Sequence, residues 1–334
     1  MLIGCAFFLG LGYLLVSRVG AIWQLYLFYG VITGIGMSGA FAPLLSIVPR
    51  WFVKRRALMS GIVVAGPALG IVVMPLAFTL FISAYGWRTS YIILGSVVLV
   101  LIVLAALFLR RDPGQMGLMP YGADKGKAGG MDLQAAGLSL GEAVRTRQFW
   151  LLSVVSFSDL FLMNVITVHI VIYTIGLGIP ATAAASVLSV AAGVSIPARV
   201  IIGGVADRIG NKPAFMICFI TSVVAFLLLL VARELWILYL FAAIFGFGLW
   251  SSGAIMAPIT AELFGLKSHG TILACTAFAS AVGGAVGPVL VGYIFDVTGS
   301  YQLGFILCLL VTIVGITALI SLRPISKGEI ARSN

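Results

Sequence analysis

The sequence predicts an all-α polytopic membrane protein with ten transmembrane helices. Composition is the first reason. Of 334 residues, 61% are hydrophobic and 9% are charged, with mean hydropathy +1.18, whereas a soluble domain carries about 25% charged residues. Pattern is the second. A spanning helix needs about 20 mainly apolar residues. Such runs lie at 2–17, 22–48, 56–84, 88–110, 148–176, 182–206, 213–232, 235–263, 268–295 and 301–322. Barrel strands would instead alternate over about ten residues. A soluble enzyme, a secreted domain and a nucleic-acid binder are poor readings of such a chain.

The first run starts at Met1 with no basic segment before it, so it reads as a spanning helix rather than a signal peptide. Four runs precede a polar segment, 111–147, rich in Gly and charge, which reads as a linker. Its end, Ser139-Leu140-Gly141-Glu142, has capping-box spacing and predicts a short surface helix running into Trp150. Six runs follow. The expected organisation is a four-helix half at 1–110, the linker at 111–147, a six-helix half at 148–323 and a tail at 324–334.

Charge sets the orientation. The net charge of +10 comes from 20 Lys and Arg against ten Asp and Glu. The basic residues cluster between apolar runs instead of forming one nucleic-acid-binding face. With Met1 inside, 16 lie in inside segments, Arg18, Arg88 and Arg233 lie outside, and Arg199 falls within a helix. That bias puts both termini and the linker in the cytoplasm. Cys5, Cys218, Cys275 and Cys308 all sit inside apolar runs, without metal-ligand spacing.

The chain also repeats. Shifting by 213 residues lays Trp23-Gln24-Leu25-Tyr26-Leu27-Phe28 on Trp236-Ile237-Leu238-Tyr239-Leu240-Phe241. It lays Lys54 on Lys267, Gly70 on Gly283, Pro75 on Pro288 and Gly86 on Gly299. Shared composition does not explain a common register of Gly and Pro. Internal repeats of this kind build many secondary transporters, with the substrate site between them. Residues 150–213 have no counterpart in the first half, so a complete first half is expected to carry about 64 more residues before Met1.

These features resemble the major facilitator superfamily, built of six plus six helices. Gly203-Gly204-Val205-Ala206-Asp207-Arg208-Ile209-Gly210-Asn211-Lys212 is similar to that family's cytoplasmic loop motif. Within it, Trp51-Phe52-Val53-Lys54-Arg55-Arg56-Ala57-Leu58-Met59-Ser60-Gly61 resembles the fifth-helix signature of monocarboxylate transporters and their bacterial relatives. Trp51 and Met59 depart from it, where Tyr and Ala are usual. Asp112-Pro113, Gly117-Leu118 and Pro120-Tyr121-Gly122 resemble the same group's linker. The resemblance implies a monomeric, multi-pass protein of the plasma membrane, a bacterial inner membrane in this reading, that carries a small organic anion, a monocarboxylate with a proton, by symport. It implies no cofactor and no metal.

Arg199 stands out among the candidate residues. It lies about eight positions, near 12 Å of helix, before Asp207. A cation at such depth costs about 2.5–3.5 kcal/mol on insertion scales and persists where it has a partner or a water-filled cavity. Its planar fork suits a carboxylate, and the resemblance implies a substrate-binding Arg in this helix. Animal monocarboxylate transporters carry an Asp one turn earlier; here that position is Ser195. Oxalate transporters carry a Lys in the eleventh helix; Phe278 stands there, which disfavours a dicarboxylate. Asp159, within a helix, and His169 are the proton-coupling candidates, and His169 and Asn164 join Arg199 as substrate-binding candidates.

Gly203, Asp207, Arg208, Gly210 and Lys212 are assigned to gating. Asp207 is expected to accept from the N-terminus of the helix that starts near Ser268. Gly34, Gly36, Gly66, Gly70, Gly283, Gly284 and Gly287 allow close helix packing, and Pro75 and Pro288 kink their helices. Zinc-protease, phosphate-loop and paired-cysteine motifs are absent from the sequence, so the chain is not read as an enzyme. Two alternatives stay open: an antiporter for a drug or another metabolite, and a non-transporting membrane sensor or partner protein.

Overall fold

The computed structural model describes residues 2–39, 42–122 and 137–323, except for the side chains of Ile71, Val72, Pro75 and Leu76. The tail at 324–334, residues 123–136 of the linker and the side chain of Pro75 lie outside the described residues. Among the described residues, eight helices have the length and apolarity to cross a membrane, among them Arg147–Gly176, Ala181–Ile209 and His269–Thr298. Two further apolar helices, Leu2–Val16 and Arg56–Gly70, are shorter. The helix Arg56–Phe108 breaks at Gly86, where φ is 74° and ψ is 160°. This left-handed backbone suits glycine, and it separates the runs expected at 56–84 and 88–110.

Two runs expected to be continuous are interrupted. Residues 22–48 hold Ile22–Leu25, a π-helical stretch Tyr26–Ile32, Thr33–Met37 and the start of Ala42–Trp51. The run at 235–263 divides into Leu235–Phe247, a 3-10 turn Leu249–Ser251 and Gly253–Phe264. Gly248 and Gly253 flank that turn, and Ser251 and Ser252 interrupt the apolar run. Broken helices of this kind are tolerated at membrane depth where protein or a cavity surrounds the freed backbone.

The linker side is tied down by polar contacts. Ser139 and Glu142 form the expected capping box: the Ser139 amide donates to Glu142 Oε2, and the Glu142 amide donates to Ser139 Oγ. The Ser139 bonds hold the half-buried Glu142 carboxyl below its usual range. The Tyr121 amide donates to the Trp51 carbonyl at 2.7 Å, and the Val53 amide returns a bond to Tyr121 at 2.9 Å. The two segments that resemble monocarboxylate transporters thus dock on each other. Arg50 adds an ion pair to Asp112 at 3.0 Å and donates to the Leu266 carbonyl at 2.9 Å.

Close helix packing supplies the rest. In lipid there is little hydrophobic drive between helices, so small residues that let backbones approach carry the association. Added methyl groups at Gly61 and Gly203 would overlap the carbonyls of Arg199 and Ala57. These two glycines seat Arg56–Phe108 directly on Ala181–Ile209. Gly283, Gly284 and Gly287 do the same for His269–Thr298 against Arg147–Gly176. Of the other glycines expected to pack, Gly36 meets the Leu9 backbone, whereas Gly34, Gly66 and Gly70 face open space.

Candidate functional site

Arg199 and Asp159 line one cavity of about 360 Å³. Arg199 comes from Ala181–Ile209 and Asp159 from Arg147–Gly176. Val64, from the first half, closes one side. Trp250 and Met256 enter from the broken helix, and Thr276 and Ser280 from His269–Thr298. The wall is mostly apolar, with a few polar groups, as small-molecule sites are.

Asp159 is buried and accepts from Ser252 Oγ at 2.7 Å. Ser252 sits at the break in its helix, so the interruption delivers the donor. Arg199 Nη1 donates to the backbone carbonyl of Val64, across the two halves, while its Nε is buried without a partner. The ion pairs found among the described residues join Arg50 and Arg111 to Asp112. Arg199 and Asp159 therefore share a cavity and lie within electrostatic reach of each other, without a direct ion pair. Ser195 is buried and donates to the Ala192 carbonyl at 2.8 Å.

Asn164 and His169 lie elsewhere. Pro288 has no N–H, so the carbonyl of Gly284, four residues earlier, loses its helical donor. Asn164 Nδ2 donates to that carbonyl at 3.0 Å. His169 Nε2 meets the Pro288 carbonyl at 2.9 Å, and its Nδ1 meets the Tyr301 hydroxyl at 3.2 Å. A carbonyl only accepts, so Nε2 carries a proton, and in the neutral ring Nδ1 accepts from Tyr301. Both side chains tie the helix His269–Thr298 to its neighbour Arg147–Gly176 around Pro288, and neither lines the cavity. Phe278 is 71% exposed and is also outside it.

The loop motif makes a different contact from the one expected. The first amides of a helix have no intrahelical acceptor. Those of Ala57 and Leu58 donate to Asp207 Oδ1 and Oδ2, at 3.0 and 2.9 Å. The partner of Asp207 is therefore the helix that starts at Arg56, not the one near Ser268. The repeat offset of 213 relates those two starts, Arg56 and His269. Lys212 donates to the carbonyls of Ile320 and Leu322 at 2.7 and 2.6 Å, capping the last helix. Gly210 takes a φ of 97° between two helices, and Arg208 is exposed.

A larger cavity, about 740 Å³, opens beside Ser46, Arg50, Arg111, Lys267 and Ser268. It holds none of the residues that the sequence marks for substrate. The signals missed in the sequence were Trp250 and Ser252. The pair of glycines and the two serines inside an otherwise apolar run mark that break.

The family model described as Major Facilitator Superfamily matches residues 1–213 and 152–334. Monocarboxylate transporter 12 of Mus musculus is 28% identical over 319 residues, 89% of this chain and 66% of that protein. Monocarboxylate transporter 4 of Rattus norvegicus is 28% identical over 313 residues, 92% of this chain and 64% of its own length. The chain thus spans a little under two thirds of the length of these relatives. Among solved structures, the E. coli fucose:proton symporter FucP superposes with a TM-score of 0.71 at 14% identity, over 96% of this chain and 83% of that one. The human organic anion transporter MFSD10 gives 0.72 at 16%, over 95% of this chain and 76% of the other. The fold, the repeat and the family match agree: this chain is a multi-pass membrane protein of the Major Facilitator Superfamily.

Proposed function

We propose that the chain is a secondary active transporter of a small organic anion, a monocarboxylate taken up with one proton by alternating access. The observation that carries this reading is Arg199 and Asp159 in one cavity between the halves. The names of the monocarboxylate transporter relatives support the substrate class, and that of the fucose:proton symporter supports proton coupling.

The mechanism is a charge balance. With the cavity empty, the Asp159 carboxylate offsets the Arg199 cation. A substrate carboxylate on the guanidinium adds a second negative charge in a site that tolerates none. A proton on Asp159 restores neutrality. The loaded site therefore holds one anion and one proton and moves no net charge. Purified protein in liposomes should take up a labelled monocarboxylate when the outside is made acidic, and an imposed membrane potential should leave the rate within about twofold. A rate that follows the potential and ignores the acid gradient overturns the reading. The distribution of Lys and Arg supports cytoplasmic termini and a cytoplasmic linker, and a reporter fused at Gly122 should read on that side.

Asp207 would act as the latch. Its two bonds close the ends of Ala181–Ile209 and Arg56–Phe108 on each other. Charge-assisted bonds and the helix dipole make that contact worth about 1–2 kcal/mol, a five- to thirty-fold bias. Maleimide labelling of Ala57→Cys, in a chain with Cys5→Ser and Cys275→Ser, should speed up by that factor when Asp207→Asn is added. An unchanged rate would show that Asp207 holds nothing shut.

A further inference from the structure

Two serines sit side by side at the break between Leu235–Phe247 and Gly253–Phe264, and their hydroxyls go different ways. A serine in a helix commonly bonds back to its own carbonyls. Ser251 does so, to Phe247 at 2.5 Å and Gly248 at 2.7 Å. Thr276 and Ser280, on the cavity wall, bond back to Leu273 and Thr276. Ser252, fully buried, instead donates across to Asp159 Oδ1 at 2.7 Å. Among the described residues no other hydrogen bond reaches the Asp159 carboxyl.

The charged and titratable groups around Asp159 are few. Arg199 on Ala181–Ile209 and the Cys218 thiol on Asn211–Val231 lie within electrostatic reach of it. Arg56–Phe108 and His269–Thr298 line the cavity with Val64, Leu273, Thr276, Ala277 and Ser280, none of which titrates. In the loaded site the substrate carboxylate takes up the Arg199 charge. Ser252 is then the partner that the Asp159 carboxylate keeps.

We propose that Ser252 is the positioning residue that sets the proton affinity of Asp159. A bond donated to a carboxylate is stronger than one donated to the neutral acid, so this hydroxyl favours loss of the proton. A symporter has to release on one side the proton it takes up on the other. Ser252 supplies the pull toward release while Arg199 is occupied. This rests on the reading of Asp159 as the proton carrier.

The test is an infrared titration of the purified chain, which needs no substrate. Protonated carboxyls give a carbonyl band that carboxylates lack, and the Asp159 band is the one missing from Asp159→Asn. Its titration midpoint should rise by about one pH unit in Ser252→Ala, a tenfold gain in proton affinity. Ser252→Cys, close in size, leaves only a weak thiol donor and should shift the midpoint the same way by less. It carries the test if the Ala variant does not fold. Ser251→Ala removes a hydroxyl from the same break and should leave the midpoint within about 0.2 unit. A midpoint unmoved in both Ser252 variants overturns the proposal while leaving Asp159 as the carrier. A shift in Ser251→Ala as large as in Ser252→Ala overturns it too. If no titrating band disappears in Asp159→Asn, Asp159 is not the proton carrier, and that reading falls with the role of Ser252.

Discussion

Replacing Arg199 by Gln should weaken binding of a monocarboxylate a hundredfold or more and abolish its uptake. Removing one partner of a buried charge pair costs about 3–5 kcal/mol, because the other charge stays behind unpaired. Here Arg199→Gln leaves the substrate carboxylate without its cation in the loaded site, and Asp159 without one in the empty site. The variant also removes the bond to the Val64 carbonyl, so its melting temperature and membrane yield belong in the same experiment. Arg199→Lys separates charge from shape. It keeps the cation and loses the two-pronged match to a carboxylate, so about a tenfold loss of apparent affinity is expected. If Arg199→Gln takes up substrate with unchanged apparent affinity, Arg199 is no part of the binding site.

Replacing Asp159 by Asn should uncouple the proton without emptying the site. Asn holds the position in its neutral state and can still accept from Ser252. A two-unit inward acid gradient can sustain about 100-fold accumulation in a one-to-one symport, since each pH unit is tenfold in proton activity. In Asp159→Asn the accumulation ratio should fall to about one, while exchange of labelled for unlabelled substrate continues. Binding should also lose its dependence on pH. Acid-driven accumulation that persists in this variant would move the proton to another group, and His169 would be examined next.

Much of this architecture is legible in the sequence, because lipid imposes a length on every spanning segment. Run lengths locate the helices, and Gly86 marks the break between two of them. Arg199 and Asp159 are legible for a related reason: a charge is costly at that depth, so its presence asks for an explanation. What escapes is any contact that depends on which helix lies beside which. The contact of Asp207 is the clearest case. The repeat supplies two equivalent helix starts, Arg56 and His269, and a linear pattern has no means of choosing between them. Asn164 and His169 show the same limit. A polar residue in an apolar helix looks alike whether it faces a cavity or bonds to a neighbouring helix's backbone. Only the structure shows that Asn164 serves the Gly284 carbonyl, which Pro288 leaves without its helical donor, and that His169 meets the carbonyl of Pro288 itself.

The latch at Asp207 has an uneven mutational landscape. Its acceptor atoms belong to one side chain, but its donors are main-chain amides. Every amino acid except proline supplies such an amide. Leu58 is therefore free to drift without weakening the contact. Ala57 is fully buried, so it can drift only as far as its packing leaves room for a larger side chain. Position 207 has no such freedom, since two oxygens on a short stem are needed at that spot. Variation between species or in a selection experiment should thus collect at 58, thin out at 57 and stop at 207, with the closing contact unchanged throughout.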